Sequence, residues 1–370
     1  MDENELMGSL AVPKAVAQMA VPSVISSLVT VVYNMADTFF VGQTGDPLQV
    51  AAVSLTNPIF ILMMAFANMF GRGGSAVLSM AMGEKNEARV RQASSFVTYA
   101  SLLVGVMFAV ILIVFMDPIL AVFGANAETY DFARGYTLHI AWGAPFIIWS
   151  AAASFIVRAE GASREAMVGS MIGTIANIIL DPIFITTLGQ GTAGAAIATS
   201  IGNIMASAYY LWYFLKKSRV LSIRLSDFTW RERIFSRICS AGLPTAIFSA
   251  LMSVSTIVLR EPIIRIFIDD DQVVAYGVQM LIAYMVSGPV IGILFVNMNC
   301  MQSVGHALGA TVLSILRQGV LLIPLLYLLE AFLGLNGIIF GQSVTDYIAV
   351  ILSVGMWARV RKEVTGGRNP

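Results

Sequence analysis

Asn177-Ile178-Ile179-Leu180-Asp181-Pro182 sits in an apolar run from about 167 to 188, between GASREA and a glycine-rich turn. A carboxylate is unfavourable there. Asp near a bilayer centre costs about 2.5–3.5 kcal/mol on insertion scales. Asn177 and Asp181 are four residues apart, so on a helix they share one face. Pro182 has no N–H and disfavours helical geometry at Asp181, so a bend is expected and the carbonyl of Ile178 loses its usual partner. The stretch therefore gathers oxygen acceptors in an apolar wall, which a proton or a small hard cation would satisfy. Outward from this stretch, the composition indicates where such a wall lies. The chain has 370 residues, 57% of them hydrophobic and 12% charged. Its mean hydropathy is +0.79. Soluble domains carry about 25% charged residues. An all-α polytopic membrane protein is the expectation.

Ten apolar segments are long enough to span, at about 15–42, 50–71, 92–116, 132–157, 166–187, 192–215, 238–259, 276–302, 308–329 and 337–358. The first follows an acidic start and is long enough to stay as a helix rather than act as a signal peptide. Alternate loops hold seventeen of the 22 lysines and arginines, Arg158 and Arg164 among them, and the opposite loops hold three. This bias predicts both termini in the cytoplasm. The basic stretch 218–237 reads as a linker between a six-segment lobe, 1–217, and a four-segment lobe, 238–370.

The lobes repeat. Asp117-Pro118-Ile119 matches Glu261-Pro262-Ile263 at an offset of 144, as do Pro145 with Pro289 and Ser170 with Ser314. Gly194 and Ser200 match Gly337 and Ser343 after a one-residue slip. The lobe starts match at 222 instead, Pro22 with Pro244 and Ser27 with Ser249. The difference predicts that the second lobe lacks the equivalent of roughly residues 40–114, about two helices. Equivalent helices run in the same direction, a parallel repeat of the kind found in secondary transporters.

Depth can be counted along the segments. Asp37 is five residues before the end of the first, near Gly42. Asp181 is five before the end of the fifth, near Thr186. Thr199 is five into the sixth, from Gly194. At about 1.5 Å per residue all three lie at one level in the outer half of the membrane. Tyr33, Asn34 and Tyr136 are candidates to line the same space. Arg317 and Asp346 fall at mid-depth in the ninth and tenth segments and are expected to form a buried ion pair. Arg72 is expected to snorkel from a helix end. His139, His306, Cys239 and Cys300 fit no zinc or disulfide spacing, so neither metal nor cofactor is expected. The glycines around Arg72 lack the Lys-Ser/Thr of a phosphate loop, and no catalytic constellation marks an enzyme.

Asn34-Met-Ala-Asp37-Thr-Phe-Phe-Val-Gly42 resembles the first helix of the MATE (multidrug and toxic compound extrusion) transporters. Gly71-Arg-Gly-Gly-Ser75, Gly83-Glu-Lys-Asn86 and Arg158-Ala-Glu-Gly161 resemble that family's inner-loop motifs. Asn177…Asp181-Pro182 and Gly194-Ala-Ala-Ile-Ala-Thr199 resemble its fifth and sixth helices, and the likeness is nearest to bacterial DinF-like members. The resemblance implies a twelve-helix fold of two lobes, here short of about two helices. It also implies a monomer in the bacterial cytoplasmic membrane that exports amphipathic, cationic small molecules in exchange for H⁺ or Na⁺. Asp37, Asn177, Asp181 and Thr199 would hold the coupling ion, and the 20 methionines would suit a cavity with few fixed contacts. Two alternatives are a non-transporting remnant that keeps the ion site, and a lipid-linked sugar flippase. The second needs more intramembrane cations than the chain has. No nucleic-acid partner is expected.

Overall fold

The structure is a computed structural model. It describes residues 39–218, 220–229, 234–244, 290–302 and 306–366, with single positions or pairs between 21 and 36 and at 247, 279, 283 and 287. Every regular element among these residues is helical. The chain divides into two compact units, Met1–Gly242 and Leu243–Pro370.

In the first unit, α1 runs Pro47–Gly83, α2 Glu87–Val114, the short α3 Met116–Val122, and α4 Tyr130–Ala159. α5 (Ser163–Asp181) continues into a π-helical turn, Pro182–Thr187, and α6 runs Gly191–Lys216. Local chemistry sets the starts. Asp46 caps α1 by accepting from the Leu48 N–H at 3.0 Å, with Pro47 in the first turn. Asn86 caps α2 through the Arg89 N–H at 3.0 Å. α4 is the central helix and packs against α1, α2 and α6. It can be buried nearly all round because Ala133, Ala141, Gly143, Ala144, Ala152 and Ala153 keep its contacts small. α2 shows the opposite pattern: Leu103, Val106, Met107, Val110 and Val114 recur at helical spacing and are exposed, as a lipid-facing stripe is.

Among the described residues, six helices are long and apolar enough to cross a membrane. α6 is not one of them, although a span was expected at 192–215. Its length is sufficient, about 39 Å at 1.5 Å per residue. Its apolarity is lowered by Thr199, Ser200, Asn203, Ser207 and three tyrosines, most of which are buried inside the unit. α1 also departs from expectation. The segment 50–71 was expected to end near the glycines, yet the helix continues through Gly71-Arg72-Gly73-Gly74 to Gly83. Arg72 does not reach out from a helix end; its guanidinium lies over the Phe155 ring, 5.2 Å from the centroid.

The glycines serve close packing. A Cβ on Gly73 would fall 2.1 Å from the Ile238 carbonyl oxygen, and one on Gly242 would fall 2.0 Å from that of Met69. α1 and the helical stretch 234–242 thus touch backbone to backbone, as small residues permit in membrane proteins. The join between units accordingly lies later than the expected linker at 218–237. Residues 222–224 are held on α2: Ser94 Oγ donates to the Ser222 carbonyl at 3.1 Å, Ser95 Oγ to that of Arg224 at 2.9 Å, and Tyr99 to that of Ile223 at 2.8 Å. Phe228 stacks on Phe96.

In the second unit, α7 (Ala307–Ile315), a π turn (Leu316–Leu321) and α8 (Leu322–Leu333) form one continuous rod, followed by α9 (Leu335–Gly366). The repeat is visible in the helix starts: Ser163 and Gly191 of the first unit and Ala307 and Leu335 of the second are each separated by the sequence offset of 144. Residues 248–278, where the second lobe's missing helices were inferred, lie outside the described residues.

Gly73→Val is expected to destabilise the protein by about 1–3 kcal/mol, since the Ile238 backbone cannot move aside as a side chain would. A lowered thermal midpoint in detergent, with loss of monodisperse protein, checks this. An unchanged midpoint would rule out the close approach.

Candidate functional site

α5 and α6 cross where both lack side chains. A Cβ on Gly173 would lie 2.9 Å from the Gly202 carbonyl oxygen, and one on Gly202 would lie 2.6 Å from that of Gly173. One turn further along α5 this proximity brings Asn177 against Thr199. Asn177, Asp181 and Thr199 are 3%, 0% and 6% exposed. In the amide orientation that satisfies both neighbours, the Asn177 nitrogen donates to Asp181 Oδ2 at 2.9 Å. Its oxygen then accepts from the Thr199 hydroxyl at 3.1 Å and the Thr199 N–H at 2.9 Å. The network continues inward: Asn203 Nδ2 donates to the Thr199 carbonyl at 2.8 Å, and Ser150 Oγ donates to Asn203 Oδ1 at 2.9 Å.

Three of the four expected ion-site residues are thus brought together. Asp37 lies outside the described residues, as does Asn34. At the expected bend the structure has a π turn, Pro182–Thr187. Asp181 keeps helical backbone angles, φ −53° and ψ −56°, and Pro182 continues them at −62° and −29°. Hydrogen bonds from i to i+5 step over the missing Pro182 N–H, so the ladder resumes without a break.

A cavity of about 380 Å³ lies beside this network. Asn177, Thr199, Asn203 and Ser150 form part of its wall, with Tyr33, Ser26, Ser170, Thr174, Met64 and Arg158. Tyr33 therefore lines it, whereas Tyr136 packs in two apolar clusters, with Ile140 and Ile59 in one and with Val41, Ile185 and Ala195 in the other. Arg158 was counted among the loop cations; it belongs to the last turn of α4 and faces the cavity. Ser150 and Asn203 were also not anticipated. Asn203 stands four residues after Thr199, a same-face spacing that could have flagged it.

The second unit holds a separate buried pair. Arg317 Nε donates to Asp346 Oδ1 at 2.6 Å, with side chains 6% and 0% exposed, and Gln342 Nε2 also reaches that oxygen at 3.2 Å. Arg317 sits in the second π turn.

The sequence matches the MatE family model over residues 22–183 and 238–328. It is 27% identical to the "Multidrug export protein MepA" of Staphylococcus saprophyticus over 428 aligned positions, covering 95% of each chain. It is 25% identical to the protein so described in Staphylococcus aureus MRSA252, with the same coverage. Among solved structures, the "Outward-facing conformation of a multidrug resistance MATE family transporter of the MOP superfamily" matches with a TM-score of 0.78 at 23% identity, over 94% of this chain and 95% of that one.

Thr199→Val is expected to lower stability by about 1 kcal/mol through the lost hydroxyl contact to Asn177, and Thr199→Ser to restore most of it. Chemical denaturation of the detergent-solubilised protein checks the pair. Equal stability of all three forms would exclude the contact.

Proposed function

Since the chain belongs to the MATE family of multidrug efflux transporters, we propose that it is a cation-coupled antiporter exporting amphipathic, cationic drugs or metabolites by alternating access. The coupling ion, H⁺ or Na⁺, binds at Asp37, Asn177, Asp181 and Thr199. The observation that carries this reading is the buried carboxylate of Asp181, tied to Asn177 and Thr199 at the head of a π turn.

A constant register supports the inclusion of Asp37. Ser26 Oγ meets Ser170 Oγ at 2.8 Å, Tyr33 and Asn177 share the cavity wall, and Val41 and Ile185 share one apolar cluster. Each pair differs by 144 residues, and so do Asp37 and Asp181. The third member of that cluster, Ala195, is four residues from Thr199. We therefore assign the two acids to one site. A buried carboxylate is far more favourable with a proton or a cation on it than as a bare charge, so the pair takes up one proton or one sodium ion. Neutralising it removes the penalty of a buried charge and shifts the balance between inward- and outward-open states. The π turn supplies a helix segment with two accessible hydrogen-bond registers next to the ion. The basic loops orient both termini to the cytoplasmic side of the bacterial inner membrane.

A second reading has its own support. An alignment of 428 positions on a 370-residue chain requires gaps on this side. This accords with a second lobe short of roughly 78 residues, and hence with a remnant that binds ions without turnover. Substrate uptake into inside-out vesicles separates the readings. Ion-gradient-driven uptake that falls at least tenfold in Asp181→Asn supports antiport. Full coupled uptake in that variant contradicts the site. Cation-dependent thermal stabilisation with no uptake selects the remnant.

A further inference from the structure

Arg72 on α1 and Arg158 on α4 converge on one side chain. Their guanidinium carbons lie 5.2 Å and 5.8 Å from the centroid of the Phe155 ring. The ring is seated where α1 has no side chain, since a Cβ on Gly71 would fall 2.6 Å from Phe155 Cδ2. Both arginines are partly buried, and each Nε is buried with no hydrogen-bond partner among the described residues. The two are near enough for the Arg158 charge to act on Arg72. Among the described residues neither forms an ion pair. The acids nearest Arg158 in sequence are engaged elsewhere. Glu160 accepts from the Tyr213 hydroxyl at 2.8 Å and from Ser218 Oγ at 2.5 Å. Glu165 is held by Lys217 and Tyr209. Two like charges set together and partly desolvated are unfavourable until an anion joins them. The ring attracts both cations but neutralises neither.

The depth of the pair indicates which anion. Arg158 is in the last turn of α4. α1 continues eleven residues past Arg72, to Gly83, about 16 Å further toward the same side. The level of Arg158 is also marked on α6. Tyr213 reaches Glu160, and the Tyr210 hydroxyl donates to the Ala166 carbonyl at 2.8 Å. Between them Trp212 is 49% exposed, with its ring 5.6 Å from that of Tyr209. Exposed Trp and Tyr at one level mark the headgroup region of a bilayer. The pair thus stands at headgroup depth on the side that carries the basic loops.

We propose that Arg72 and Arg158 form a binding site for the phosphate of an acidic phospholipid in the inner leaflet. Basic pockets between helices on the cytoplasmic side take such headgroups. A guanidinium suits the role, because it keeps its charge when desolvated and presents a planar fork to phosphate oxygens. Two positive charges with no acid beside them favour a headgroup with net negative charge over one that carries its own cation. The site is separate from the ion network at Asn177 and Asp181, and the proposal stands or falls independently of the antiport reading. Free phosphate offers the same oxygens, so the test separates the two sources.

The full-length protein in detergent is titrated with dioctanoyl phosphatidylglycerol, dioctanoyl phosphatidylcholine and inorganic phosphate while its thermal midpoint is followed. A saturable rise with phosphatidylglycerol alone is expected. Arg72→Gln and Arg158→Gln are each expected to raise the half-saturating concentration at least about tenfold. Arg72→Lys and Arg158→Lys keep the charge, guard against a folding defect, and are expected to fall between the wild type and the Gln forms. Without lipid the Gln variants are expected to melt no lower than the wild type, since each removes one of two like charges. A lower midpoint there marks a guanidinium that merely packs on Phe155 and overturns the site. Equal half-saturation in the wild type and all four variants overturns it as well. An equal response to inorganic phosphate overturns the lipid assignment, and an equal response to phosphatidylcholine overturns the acidic headgroup.

Discussion

The contact of Asn177 with Asp181 and Thr199 is the constraint from which the first unit is best understood. A carboxylate with no exposure is tolerable only if its oxygens are hydrogen-bonded or its charge is neutralised. Both conditions need α5 and α6 to lie closer than ordinary side chains allow. Gly173 and Gly202 remove those side chains at the crossing, and Thr199 then offers both its hydroxyl and its N–H to one amide. The polar residues that reduce the apolarity of α6 are thus the ones that make the site, and α4 and α5 screen them from lipid.

The two π turns extend this argument. Each carries or adjoins a buried ionisable group: Asp181 precedes the first, and Arg317 lies within the second. They are not equivalent by the repeat, since an offset of 144 from the first would fall within α8. In the second unit Arg317 is already neutralised by Asp346, a tethered cation meeting a fixed anion. The second lobe thus closes its buried charge on itself.

Much of this was legible in the sequence, for physical reasons. The helical class and the 144-residue repeat follow from apolar length and from proline and glycine landmarks. The meeting of Asn177, Asp181 and Thr199 follows from depth counting, because the helical rise is nearly invariant. What the sequence concealed was local. Pro182 suggested a bend, but not that the missing N–H would be met by a π turn, Pro182–Thr187. Gly71-Arg72-Gly73-Gly74 suggested the end of a helix, but the glycines serve backbone contact with Ile238 and Gly242. Arg158 looked like a loop cation because α4 extends two residues past the apolar run, and only its neighbours reveal that it faces a cavity.

The central claim is that Asp181 takes up the coupling ion together with Asp37. Infrared difference spectra of the purified protein, recorded across a step in pH or sodium concentration, report it directly through the carboxyl stretching bands. The account predicts a band change in the wild type that is lost in both Asp181→Asn and Asp37→Asn. A change that persists undiminished in the two variants would place ion uptake elsewhere and contradict the account.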